Sequence, residues 1–122
     1  LFNFYTNSKK AIKRANRHGI IQIECGCTDS HIYLEFSDNG DGISKEHEEK
    51  IFDEFFTTTS QDTVDNFGLK HEITGTGLGL KIVKDIVSSY KGAIMVVSAK
   101  NDLSTCIRVE IPKANNKDLD LL

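Results

Sequence analysis

The sequence predicts an α+β fold, a two-layer α/β sandwich whose mixed, mostly antiparallel sheet carries helices on one face. Three observations lead there. Alternating apolar residues come in two pairs of short segments, 20–25 with 31–36 and 93–98 with 105–111. Each pair is joined by a short connection, which favours antiparallel pairing. Two segments of helical spacing, 2–17 and 78–90, each precede one of those pairs.

The first helix is expected over 2–17, with Phe4, Ala11, Ile12 and Ala15 on one side together with Leu1 and Ser8. A second, polar stripe runs through Asn3, Asn7, Lys10 and Arg14, at intervals that return to one face. Gly19 is the expected stop. In the next segment Ile21, Ile23 and Cys25 alternate with Gln22 and Glu24; in the one after, Ile32, Leu34 and Phe36 alternate with His31, Tyr33 and Glu35. Both read as half-buried strands, with 27–30 as the turn and Asp38 just past the second strand.

Ser44 suits an N-cap for a short polar helix over 45–51, followed by the aromatic cluster Ile51, Phe52, Phe55 and Phe56. Residues 57–74 are rich in Thr, Asp and Asn and lack any period, as functional or mobile loops do. In the second helix Ile82, Val83, Ile86, Val87 and Tyr90 fall on one face, and Gly92 closes it. Ile107, Val109 and Ile111 alternate in the last strand, which Pro112 ends. The domain is expected over 1–112, with a loose polar tail over 113–122.

A net charge of -3 argues against a nucleic-acid surface. The cluster Lys9, Lys10, Lys13, Arg14, Arg17 and His18 is either a solvated helix face or a source of one or two phosphate contacts. No run of apolar residues is long enough to span a membrane, so direct membrane contact is not expected. Three cysteines without a signal sequence favour reduced thiols and a cytoplasmic setting. The start at Leu1 without Met reads as a piece of a longer protein.

Two glycine-rich stretches carry chemistry. Gly75-Thr76-Gly77-Leu78-Gly79-Leu80 opens the second helix, where backbone N–H groups can meet anionic oxygens. Its spacing fits neither a dinucleotide fingerprint nor a Walker loop. Asp38-Asn39-Gly40-Asp41-Gly42 lies at a strand end, and glycines occupy positions where a calcium loop needs acids. A carboxylate there can accept from an exocyclic amine such as that of adenine, although a plain turn is the simpler reading. Asn7, a poor helix former, is either an exposed polar residue or an oxygen ligand for Mg²⁺. Neither His47 nor His71 sits on a recognisable acceptor helix.

With these stretches in order, the chain resembles the catalytic ATP-binding domain of sensor histidine kinases, in the superfamily that also holds gyrase B, Hsp90 and MutL. Asn3 to Ala11 is similar to that family's Asn box, Asp38-x-Gly40-x-Gly42 to its first glycine box, Ile51 to Thr58 to its Phe box, and Gly75 to Leu80 to its second glycine box. The resemblance implies a Bergerat-type fold and Mg-ATP as ligand. It assigns Asn7 to Mg²⁺, Lys10 to phosphate and Asp38 to adenine, and makes Asn7 and Lys10 the catalytic pair. Asn3, Ile43, Phe55 and Thr105 join the glycine boxes around the nucleotide, and 57–74 becomes the ATP lid. It also implies a histidine-bearing dimerisation domain upstream and a response regulator as partners. An isolated fragment of this kind would not phosphorylate itself.

The chain departs from the pattern. Ser8 stands for the usual Ala, Glu54 for a common Pro, Thr59-Ser60 where a Lys often follows, and no Gly precedes Thr105. The family's strand ahead of the Asn box is missing. Asn3 occupies the position of the water-activating Glu in the hydrolysing branch, and an amide cannot act as a general base.

Overall fold

A computed structural model describes residues 1–53, 79–115 and 117. In chain order the elements are α1 Phe2–Ala15, β1 Ile21–Cys27, β2 His31–Asp38, a 3₁₀ turn Lys50–Phe52, α2 Gly79–Ser89, β3 Ala93–Val97 and β4 Thr105–Pro112. The strands form one sheet in the order β1-β2-β4-β3, and every neighbouring pair is antiparallel. The sheet described is antiparallel throughout, in keeping with the mostly antiparallel sheet expected. The two hairpins meet through β2 and β4, whose register sets Phe36 opposite Ile107 and Asp38 opposite Thr105.

The core lies between this sheet and the helices. Phe4 of α1, Phe36 of β2, Ile107 of β4 and Ile51 and Phe52 of the 3₁₀ turn form its buried cluster. Phe4 and Phe36 pack with ring centroids 5.5 Å apart and planes tilted by 31°. Leu80 and Val83 of α2 close the cluster from the other helix.

Several boundaries fall elsewhere than the sequence predicts. α1 ends at Ala15, because Asn16 takes the left-handed conformation at φ 51° and its N–H bonds to the Lys13 carbonyl. Asn tolerates that region, so the chain has turned before Gly19. The helix expected over 45–51 is a series of turns that tightens into the 3₁₀ segment. A segment this short and polar gains too few bonds to repay helix nucleation. Ser44 contributes its carbonyl to the His47 N–H at 2.9 Å, and the residue that caps the 3₁₀ segment is Glu49. α2 closes with Lys91 in the left-handed region at φ 60° and the Gly92 N–H bonded to the Val87 carbonyl.

The apolar faces are also narrower than expected. On α2, Val87 is buried and Leu80 and Val83 reach the core, while Ile82, Ile86 and Tyr90 are exposed. Those three lie at intervals of four, along a stripe beside the buried one. Leu1, Phe2 and Tyr5 of the first helical turns are exposed as well. Ile23 on the edge strand β1 and Ile32 at the start of β2 are half exposed.

On the opposite side of the sheet Arg108 donates to Glu35 at 2.9 Å and to Glu110 at 2.7 Å, and stacks over the Tyr33 ring. Those hydrogen bonds, Glu35 first, raise the guanidinium pKa above its ordinary value. The cysteines are strand residues, as expected. Cys25 and Cys27 are exposed on β1, and burial pushes the Cys106 thiol pKa up despite a hydrogen bond with Ser37.

Beyond β4 the Lys113 N–H still bonds to the Ser30 carbonyl, at 2.9 Å, so the segment expected as a loose tail starts tethered. Among the described residues no helix is long and apolar enough to cross a membrane.

Phe36, 3% exposed at the centre of the cluster, is the test of this core. Phe36→Ala should lower the unfolding free energy by about 3–5 kcal/mol in urea denaturation. Ile86→Ala, on the exposed stripe, should change it by less than about 1 kcal/mol. Equal effects of the two substitutions would contradict the packing described.

Candidate functional site

The site is built where the end of β2 meets α1. Asp38 is the last residue of β2, paired with Ile21 on one side and Thr105 on the other, and not past the strand as expected. It is 4% exposed. Among the described residues each carboxylate oxygen has one donor: the Ser8 hydroxyl reaches Oδ2 at 2.7 Å, and the Gly40 N–H reaches Oδ1 at 2.8 Å. The Asp38 backbone carbonyl is held too, accepting from the Ser104 N–H at 2.9 Å. A buried carboxylate without such donors would be strongly disfavoured.

The turn after Asp38 is lashed to its surroundings by its own side chains. Asn39 accepts from the Ile20 N–H at 2.8 Å and donates to the His18 carbonyl at 2.8 Å. These bonds tie the segment after α1 to the turn. Asp41 accepts from Arg14 Nε at 2.7 Å and Nη2 at 3.2 Å, and its N–H bonds to the Ala11 carbonyl. Arg14, one of the basic residues considered for phosphate, is thus a partner of this turn. Ser104 donates to the Gly40 carbonyl at 2.7 Å and closes the turn from the β4 side.

Both glycines of the turn have reasons within the chain. A Cβ on Gly40 would stand 2.5 Å from the Ala11 Cβ and 2.7 Å from its backbone carbon. Gly42 takes φ 82°, which disfavours side chains. The simple-turn reading and the ligand reading therefore both require these residues. Ile43 packs against the core cluster directly after them.

The polar stripe of α1 lies on the same seam. Asn3 donates from Nδ2 to the Gly79 carbonyl at 3.0 Å, joining α1 to the first residue of α2. Asn7 and Lys10 are half-buried, and neither side chain hydrogen-bonds or ion-pairs with a described residue. The side chains that the resemblance assigns to metal and phosphate are thus uncommitted within the described structure, whereas Asp38 and Asn3 are held. Thr105 is buried beside Asp38 in the register. Gly79 and Leu80 begin α2. Phe55, Gly75, Thr76, Gly77, Leu78 and the lid expected over 57–74 lie outside the described residues.

The chemistry of the donor set fits a hard cation held mainly by its ligand. No group of three or more His, Cys, Asp or Glu side chains that could cage a metal occurs among the described residues. A single amide oxygen beside phosphates and waters is a setting in which Mg²⁺ binds. Two anchors escaped the sequence reading. Ser8 was placed on the apolar side of the helix and noted as a departure from a pattern, but its bond to Asp38 left no local signal. The Arg14–Asp41 pair joins residues far apart in sequence and left no local signal.

A sequence profile for the histidine kinase-, DNA gyrase B- and HSP90-like ATPases matches residues 1–115. Sensor protein CiaH of Streptococcus pneumoniae serotype 4 is 38% identical over 90 residues, which cover 74% of this chain and 19% of that protein. Histidine kinase P4 of Formosa agariphila is 33% identical over 109 residues, covering 89% of this chain and 8% of that protein. Among solved structures, the catalytic domain of histidine kinase ThkA superposes with a TM-score of 0.64 at 28% identity, covering 91% of this chain and 63% of that one. The mycobacterial sensor histidine kinase MprB gives 0.62 at 26% identity, covering 88% of this chain and 65% of that one. The chain thus spans about a fifth or less of the two sensor proteins' length. With a buried carboxylate at a strand end, an Asn-bearing helix beside it and these matches, the chain belongs to the histidine kinase-, DNA gyrase B- and HSP90-like ATPases, as a catalytic domain of the histidine-kinase type.

Proposed function

We propose that this domain binds Mg-ATP in the seam between α1 and the end of β2, and donates the γ-phosphoryl group to a histidine on a separate helical dimerisation domain. The observation that carries the reading is Asp38: a nearly buried carboxylate that keeps acceptor capacity after its two in-chain bonds. An adenine amine satisfies such an acceptor, whereas the guanine O6 would set one acceptor against another. Asn7 and Lys10 stand on the adjoining helix, their side chains without a bond to a described residue, in keeping with roles toward metal and phosphate. The glycine loop ending at Gly79 would wrap the phosphates through its backbone N–H groups. Bound Mg²⁺ would neutralise phosphate charge, and catalysis would rest on positioning.

Asn3 favours transfer over hydrolysis. Its amide is engaged with the Gly79 carbonyl and offers no carboxylate to take a proton from water. In the transfer itself the bond from the γ-phosphorus to the ADP oxygen breaks, and a bond to an imidazole nitrogen forms. The response regulator would then receive the group from that histidine. The exposed stripe of Ile82, Ile86 and Tyr90 is the kind of surface that an apolar helical partner covers.

Binding and transfer measurements test this reading. Asp38→Asn should weaken ATP binding by roughly 1.5–3 kcal/mol, about ten- to 150-fold, and calorimetry on the unmodified chain should show GTP binding far more weakly than ATP. Equal affinity for the two nucleotides would end the adenine assignment. Asn7→Ala should weaken nucleotide binding in Mg²⁺ much more than in EDTA; an equal loss in both would make Asn7 structural.

Alone with labelled ATP, the domain should neither phosphorylate itself nor release phosphate quickly. A histidine-bearing helical domain added in trans should acquire an acid-labile, base-stable label. Ile86→Lys should reduce that transfer and leave ATP affinity intact. Rapid Mg-dependent phosphate release by the domain alone would favour a nucleotide-gated switch or ATPase module instead.

A further inference from the structure

We propose that Ser8 is a positioning residue for base recognition, registering the Asp38 carboxylate against the helix that carries Asn7 and Lys10; the proposal rests on the ATP reading of the site. A serine inside a helix commonly bonds back to a carbonyl one turn earlier. Ser8 does not. It is 3% exposed, and its hydroxyl crosses from α1 to Asp38 Oδ2 at 2.7 Å. An ionised carboxylate only accepts, so the hydroxyl hydrogen points at Asp38.

The second donor, the Gly40 N–H, comes from the turn that Asp38 itself begins, which reaches α1 through the Asp41 N–H and Arg14. Ser8 is the α1 side chain that bonds the carboxylate itself. With one chain donor on each oxygen, Asp38 keeps a defined acceptor direction on each. Ser8 is also the neighbour of Asn7 in sequence, so a single helical step sets the base-reading group against the residue assigned to the metal. An alanine at this position would support the helix but could not make the bond.

The effect of this bond is separable from packing, because only a ligand with an exocyclic amine uses the Asp38 acceptor. Affinities of the whole chain would be measured by calorimetry for ATP and for purine riboside triphosphate, which has the same sugar and phosphates and no amine. The unmodified chain should prefer ATP. Ser8→Ala should cut that preference about three- to tenfold, chiefly through ATP. In an Asp38→Asn background the same Ser8→Ala change should leave the preference where it was, as expected of two residues acting through one contact.

An unchanged preference in Ser8→Ala overturns the proposal. So does an equal loss for both nucleotides, which would give Ser8 a packing role only. Equal binding of ATP and the analogue by the unmodified chain would instead overturn the adenine reading of Asp38 on which the proposal stands.

Discussion

The structure turns on the placement of one carboxylate at the end of a central strand. Asp38 is nearly buried, and burial of an ionised group is tolerated only where donors meet it. Ser8 and Gly40 supply those donors, and Ser104 holds the backbone from the far side. α1 presents Ser8 to β2, where the bond forms. The same orientation sets Phe4, one turn earlier on the same side, against Phe36. The polar anchor and the aromatic core contact are thus consequences of one helix orientation.

The turn after Asp38 extends the same constraint to the rest of the helix. Gly40 comes so close to Ala11 that a side chain has no room. Arg14 clamps Asp41 with two bonds, and Asn39 binds the His18–Ile20 segment. The surface pair is itself worth little in water. Its contribution lies in geometry: the second half of α1 is held to the turn by both the pair and the Asp41 N–H. Asn3 makes the remaining connection, from the start of α1 to the start of α2. Residues that ligand chemistry could use stand between these fixed points.

The two faces of the sheet play different parts. The helix side carries the apolar cluster and the site. The other side is closed by a charged lattice in which Arg108 joins Glu35 and Glu110 over Tyr33. That lattice lets a strand residue such as Glu35 be buried without loss, because its charge is met by a guanidinium in the neighbouring strand. The helix side is incompletely covered. Ile23 on the edge strand, Ile32 at the start of β2 and the stripe of Ile82, Ile86 and Tyr90 meet solvent.

By itself the sequence determined the class of fold, the place of each strand and the two long helices, since these follow from periods of two and of about 3.6 that any solvent-facing element must obey. It also singled out Asp38, Gly40 and Gly42 at one strand end, because glycines and a strand-end carboxylate are punctuation readable one residue at a time. Asn16 as the true stop of α1 was within reach, but Gly19 is the stronger local signal. The helix expected over 45–51 and the width of the apolar face on α2 were not settled there: nucleation cost and the area the sheet can cover are properties of the assembled chain.

The sheet order, the exposed Ile82, Ile86 and Tyr90, the Arg14–Asp41 clamp and the Ser8 bond belong to the tertiary structure alone. Each joins residues distant in sequence, or depends on which of two neighbouring stripes a helix turns inward. Ser8 shows the difference most clearly. In sequence it is a small residue in place of another. Once α1 lies on β2, its hydroxyl becomes a donor that a buried carboxylate requires, and only the packing of helix on sheet could make it so.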